Sequence, residues 1–174
     1  ISRYCYVNTI LQTKADDFYA SRSPIQAGAE LYGYEGIEAD VEIIRLMIES
    51  LAILKIDNLT LSLGNTSIFN SLCESAELNS EDAEILREIF RRKSMPDLAV
   101  FLDSHEIKNA AKFSSLISLS GDESILMKAI DLFSDMEIIT DSINDLIELN
   151  NTFKDSDINL MFDLGEVKAY EYHD

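Results

Sequence analysis

Basic residues are scarce in this chain: 14 lysines and arginines stand against 32 aspartates and glutamates, a formal charge of −18 over 174 residues. That field repels phosphate backbones, whose neutralisation dominates nucleic-acid affinity, so no nucleic-acid partner is expected. Cysteine is sparse as well. Cys5 and Cys73 lie far apart and in no metal spacing. This argues against a disulfide scaffold or a zinc module and suits free thiols in or near a core in a reducing compartment. No apolar run approaches the roughly 20 residues of a membrane span, and no secretory leader pattern is visible. The expectation is a cytoplasmic protein with no membrane role. Internal repeats, phosphate-binding glycine loops and convincing Ser-His-Asp patterns are also missing, and no metal or cofactor is expected.

What is present starts with a hydrophobic content of 47%, enough for one respectable core and one to two modest domains. The stretch from Arg3 to Tyr32 organises the rest. Two runs rich in β-branched and aromatic residues, Tyr4 to Thr13 and Ile25 to Tyr32, flank a loop carrying Lys14, Asp16 and Asp17 and leaving through Ser21-Arg22-Ser23-Pro24. The pattern predicts an antiparallel hairpin with a long functional loop. Gln26, Gly28 and Glu30 share one face of the second run, because strand side chains alternate. A carboxylate there can accept from a ligand ammonium, and the glycine lets a ligand approach the backbone. A structural ion pair would use Glu30 equally well, and the residues alone leave both readings open.

Downstream, Ile37 to Leu54 carries Val41, Ile44, Met47, Ile48 and Leu51 at helical spacing, with acids in the first turn. Leu59 to Leu63 alternates and predicts a third strand. Gly64-Asn65-Thr66 then turns into a short helix with Ile68, Phe69 and Leu72. From Ser67 to Lys154 helices follow one another. Asn79 opens one running to about Lys93, Ser94-Met95-Pro96 opens the next, and Ser104 or Asn109 marks a break. Gly121-Asp122 ends a third helix and caps a fourth. The last, Asp135 to Asn151, should turn Ile138, Ile139, Ile143, Leu146 and Ile147 inward. Asp157 to Phe162 and Glu166 to Tyr172 return to strand character across Leu164-Gly165 and should rejoin the sheet. His105 is expected at a helix boundary without a partner. Arg91-Arg92-Lys93, the one basic cluster, suits either a helix C-terminus or a docking patch.

The hairpin and its sequel resemble motif 2 of the class II aminoacyl-tRNA synthetases, histidyl-tRNA synthetase above all, through Gln26-Ala27-Gly28-Ala29-Glu30. Glu38-Ala39-Asp40-Val41-Glu42-Ile43-Ile44 resembles the acidic helix start of that family. Lys168-Ala169-Tyr170-Glu171-Tyr172-His173 stands where the family has its histidine-binding motif. The resemblance covers about residues 1–64 and 158–174, in collinear order. It implies an α+β fold: a class II synthetase-like antiparallel sheet, from residues 1–64 and 158–174, carrying an all-helical insertion over 65–157. It also implies that a chain starting at Ile1 and ending at Asp174 is a piece lacking motifs 1 and 3.

Departures from the family pattern decide the expected function. The arginine that clamps the ATP α-phosphate falls on Gln12, the glutamate two residues later on Lys14, and the arginine of the histidine motif on Lys168. Adenylation needs cationic groups aimed at developing phosphoryl charge, and lysine does not reproduce the planar fork of arginine. An amino-acid pocket kept beside a dismantled ATP site resembles the regulatory subunits of ATP phosphoribosyltransferase. That resemblance implies a non-catalytic role in histidine biosynthesis and a partner in the short catalytic subunit. It further implies self-association within a hetero-octamer, with histidine as the effector. The candidate pocket is Glu30 as ammonium acceptor, Gln26 as orienting amide, Lys168 as carboxylate partner, and Tyr170 and Tyr172 as an imidazole wall. The alternatives are a reduced synthetase-like ligase that activates an amino acid, and a plain helical interaction module whose sheet is only scaffold.

Overall fold

The computed structural model describes residues 1–11 and 21–168. It divides into two compact units, Ile1–Asp57 and Asn58–Asp174.

In the first unit, β1 (Ser2–Thr9) pairs antiparallel with β2 (Ile25–Tyr32), with Tyr4 opposite Glu30, Tyr6 opposite Gly28 and Asn8 opposite Gln26. β1 ends earlier than expected, at Thr9. One further bond, from Ile10 N–H to the Pro24 carbonyl at 3.0 Å, continues the ladder. Gln12, Lys14, Asp16 and Asp17 lie outside the described residues. Gly33, in the left-handed region at φ 77°, turns the chain out of the hairpin. The chain then enters α1 (Ile37–Ile53), whose first turn carries Glu38 and Asp40 as the helix dipole favours. Alternation sends Cys5, Val7, Ala27 and Ala29 to the α1 side of the hairpin, where they line a groove with Ile43, Met47 and Leu51. Arg3 reaches α1 from the same side and forks onto Glu42, with Nη2 2.7 Å from Oε2. Ile44 is buried; Cys5, expected in or near the core, is exposed.

The second unit is mostly helical: α2 (Thr66–Ser75), α3 (Ser80–Arg91), α4 (Met95–His105), α5 (Ala110–Leu116), α6 (Ser124–Leu132) and α7 (Glu137–Phe153). Caps fix their starts. Asn65 Oδ1 accepts from Ser67 N–H at 2.9 Å, and Asn79 Oδ1 accepts from Asp82 N–H at 2.9 Å. Pro96 sits in the first turn of α4. Asp122 Oδ1 accepts from Ser124 N–H at 3.0 Å, and hydrogen bonds from the Ser124 side chain and backbone hold its carboxyl below the usual carboxylate range. Phe69, Phe90, Phe113, Phe133 and Phe162 are fully buried at the centre. The Phe90 ring lies 4.9 Å from Phe69 and 6.4 Å from Phe113.

Three details differ from expectation. β3 (Thr60–Leu63) pairs in parallel with β5 (Asn159–Asp163), which also pairs antiparallel with the two-residue β4 (Ser120–Gly121). β1 and β2 form a separate two-stranded sheet. Among the described residues the third strand is thus hydrogen-bonded to β5, and six helices supply the long crossover that a parallel pair requires. Glu166 to Lys168 is not strand: Glu166 Oε1 accepts from the backbone N–H of Val167 and Lys168 at 2.9 and 2.8 Å. On α7, Ile138 is 62% exposed, since the buried face runs through Ile139, Ser142, Ile143, Leu146, Leu149 and Phe153.

Candidate functional site

The hairpin face away from α1 holds the amide and carboxylate singled out above. β2 puts Gln26, Gly28, Glu30 and Tyr32 on it by alternation, and the antiparallel register adds Tyr4, Tyr6 and Asn8 from β1. The polar groups engage each other. Gln26 Nε2 donates to Tyr6 Oη at 2.5 Å, and the Tyr32 hydroxyl donates to Glu30 Oε2. Tyr4 and Tyr32 meet edge to face at 6.1 Å. Above Gly28 the space is taken by a side chain of the same hairpin, since a Cβ there would lie 2.4 Å from Tyr6 Cζ. The glycine thus admits a tyrosine ring of the same hairpin.

Gln26 and Glu30 are both half-buried and share this face, four residues apart along β2. Lys168, exposed at the end of the described chain, belongs to the other unit. Tyr170, Tyr172 and His173 lie outside the described residues. Tyr6 is the residue that sequence reading undervalued. Its signal was available in retrospect: an aromatic in β1 opposite a glycine in β2 is a common way to cover bare strand backbone.

Other sequence candidates resolve into structure. The basic cluster is paired: Arg91 with Glu88 at 2.7 Å, Arg92 with Asp97 at 3.2 Å, and Lys93 with Asp163 at 2.7 Å. Arg91 and Arg92 close the C-terminus of α3, as helix-dipole complementation requires. His105 does end a helix, but it has partners. Its Nδ1 lies 3.0 Å from the Phe101 carbonyl and 2.8 Å from Ser104 Oγ, its Nε2 lies 3.8 Å from Asp82 Oδ1, and its ring stacks on Phe101. Ser104 Oγ is itself within 2.9 Å of the Val100 carbonyl, so helix back-bonding accounts for the Ser-His-Asp proximity. Burial pushes the Cys73 thiol up to about 12, which suits an inert core residue. Among the described residues no group of three or more His, Cys, Asp or Glu side chains could hold a metal ion, and no helix is long and apolar enough to cross a membrane.

Solved structures place this architecture in the class II synthetase-like α+β fold. An ATP phosphoribosyltransferase regulatory subunit/histidyl-tRNA synthetase from Bacillus halodurans C superposes with a TM-score of 0.81 at 22% identity, over 98% of this chain and 45% of that one. The ATP phosphoribosyl transferase (HisG:HisZ) complex from Thermotoga maritima gives 0.64 at 14% identity, over 94% and 57%. The family model for histidyl-tRNA synthetase matches residues 1–174, and the chain belongs to that family. Proteins named ATP phosphoribosyltransferase regulatory subunit are similar along almost the whole chain. The one from Thioalkalivibrio sulfidiphilus is 33% identical over 177 residues, and the one from Methylobacillus flagellatus is 34% identical over 173, each covering 99% of this chain. The chain spans 45% of the length of both relatives.

Proposed function

We propose that the full-length protein is a cytoplasmic, non-catalytic regulatory subunit of ATP phosphoribosyltransferase in histidine biosynthesis. It binds the short catalytic subunit, self-associates in a hetero-octamer with it, and helps convey inhibition by histidine. The observation that carries this reading is the pairing of a kept amide–carboxylate face, Gln26 and Glu30, with Gln12 where a phosphate-clamping arginine would stand. Without that guanidinium the developing phosphoryl charge of an adenylation lacks a cation, so the protein has no adenylating activity of its own. The names of the relatives support the same assignment.

In this reading residues 1–64 and 158–174 form the sheet core and 65–157 the helical insertion. Glu30 accepts from the ammonium of histidine, Gln26 orients it, Lys168 meets its carboxylate, and Tyr170 and Tyr172 wall the imidazole. The full-length protein should co-purify with a short phosphoribosyltransferase subunit and make its activity sensitive to histidine. Subunits that migrate separately, with unchanged activity, refute the assignment. Glu30→Ala in the full-length protein should weaken calorimetric histidine affinity at least tenfold while the melting temperature holds, since an ion–ligand hydrogen bond is worth about 1.5–3 kcal/mol. Unchanged affinity removes Glu30 from the pocket.

A further inference from the structure

We infer that Tyr6 is a gate on the amide–carboxylate face: its phenol occupies the place of a ligand over Gly28, and ligand binding requires it to swing away. This rests on the reading of that face as an amino-acid pocket. Three observations carry it. First, the Tyr6 ring covers Gly28 so closely that a Cβ there would lie 2.4 to 2.6 Å from its Cζ, Oη and Cε1. The part of the face where a ligand could approach the backbone is therefore filled from within. Second, the Tyr6 hydroxyl accepts the Gln26 side-chain N–H at 2.5 Å, engaging the group that would orient the ligand. Third, Glu30 is engaged in the same way, accepting from the Tyr32 hydroxyl, so both polar groups of the face are satisfied by tyrosines of the hairpin itself.

The plug is able to move. Tyr6 is only half-buried, and its strand neighbours on the same face, Tyr4 and Asn8, are exposed. An aromatic side chain leaves such a position by rotation about Cα–Cβ, without disturbing the ladder. Opening costs the ring contact with Gly28 and one hydrogen bond to an uncharged amide. The closed form dominates, and the apparent affinity is the intrinsic affinity reduced by the open fraction. The same closure protects Gln26 from being left unpaired when the site is empty.

The test is histidine binding by the full-length protein, measured by calorimetry and stopped flow, for wild type, Tyr6→Phe, Tyr6→Ala and Glu30→Ala. Removing the hydroxyl frees Gln26 but keeps the ring, so Tyr6→Phe should tighten binding about threefold. Tyr6→Ala also clears the space over Gly28 and should tighten it about tenfold or more. In both, the gain should appear in the association rate, with dissociation nearly unchanged, which a purely structural tyrosine would not produce. Should Tyr6→Ala fail to fold, Tyr6→Phe keeps the ring packing and carries the test. If wild type and Glu30→Ala differ but both Tyr6 variants match wild type or bind more weakly, the gate is refuted while the pocket stands. If no variant binds histidine, the pocket reading itself falls and the gate with it. Binding by Tyr6→Ala but not by wild type would show a gate that is closed under the conditions used.

Discussion

The two units solve the burial problem in opposite ways. Apart from Ile44, every buried apolar side chain among the described residues belongs to Asn58–Asp174. There, five fully buried phenylalanines and the inward faces of six helices make a core of their own. The hairpin unit has two strands and one helix, and it leaves Val7, Leu11, Ile25, Ile53 and Leu54 two-thirds or more exposed. An isolated two-stranded hairpin is marginal in water, and so small a unit hides too little surface to be firm by itself. Gln26 and Glu30, two of the residues proposed for the histidine pocket, nevertheless sit on the hairpin. The buried core and the face proposed for recognition thus fall in different parts of the chain, and the part with fewer buried side chains is the softer one.

That contrast can be strained at several points. The largest effect should come from Phe90→Ala, which removes the ring between Phe69 and Phe113 and leaves a cavity. A loss of about 3–5 kcal/mol in denaturant-induced unfolding is expected. A loss below about 1 kcal/mol would show that the helical core is looser than its packing implies. Asn79→Ala, which removes the α3 cap, should cost about 1 kcal/mol in the same measurement. The smallest effect belongs to the hairpin unit and depends on pH. Arg3 holds the Glu42 carboxyl below its usual value of 4.5, chiefly through its hydrogen bonds. A lowered carboxylate pKa contributes stability that is complete above the unfolded value and fades as pH falls through the lower folded one. Protection factors of β1 and α1 amides, which remove the intrinsic pH dependence of exchange, should therefore fall below about pH 4.5 in wild type and show no such step in Glu42→Gln. The exposed ion pair keeps this effect small. An equal acid response in both proteins would detach the pair from hairpin stability.

Most local structure was legible in the sequence because its causes are local. Asn79 three residues ahead of Asp82, Pro96 in a first turn, and Asp122 ahead of Ser124 each satisfy helix-end N–H groups or tolerate their absence. The antiparallel hairpin followed from two apolar runs, though not its register. Illegible features depend on distant segments. Nothing near Thr60 says that its strand pairs with Asn159, about 100 positions away. Nothing in Ser120-Gly121 has the propensity of a strand, and only β5 beside it makes it one. Ile138 sits on the solvent side of α7 although its type suggests otherwise, because a helical periodicity of 3.6 makes Ile139 the buried neighbour. For the candidate site, alternation alone placed Gln26, Gly28 and Glu30 on one face of β2, as the register has them. It missed which side chain lies over that glycine, since that is a cross-strand relation.

The parallel pairing of β3 with β5 bears on how the chain is made. Translation proceeds at about 5–20 residues per second. β3 therefore leaves the ribosome roughly 5–20 seconds ahead of its partner. During that interval Thr60–Leu63 lacks the strand it finally pairs with, and meanwhile the intervening helices are emerging. A slow stretch of codons just before Asn159 would lengthen the exposure, and chaperone capture of the nascent chain should peak there.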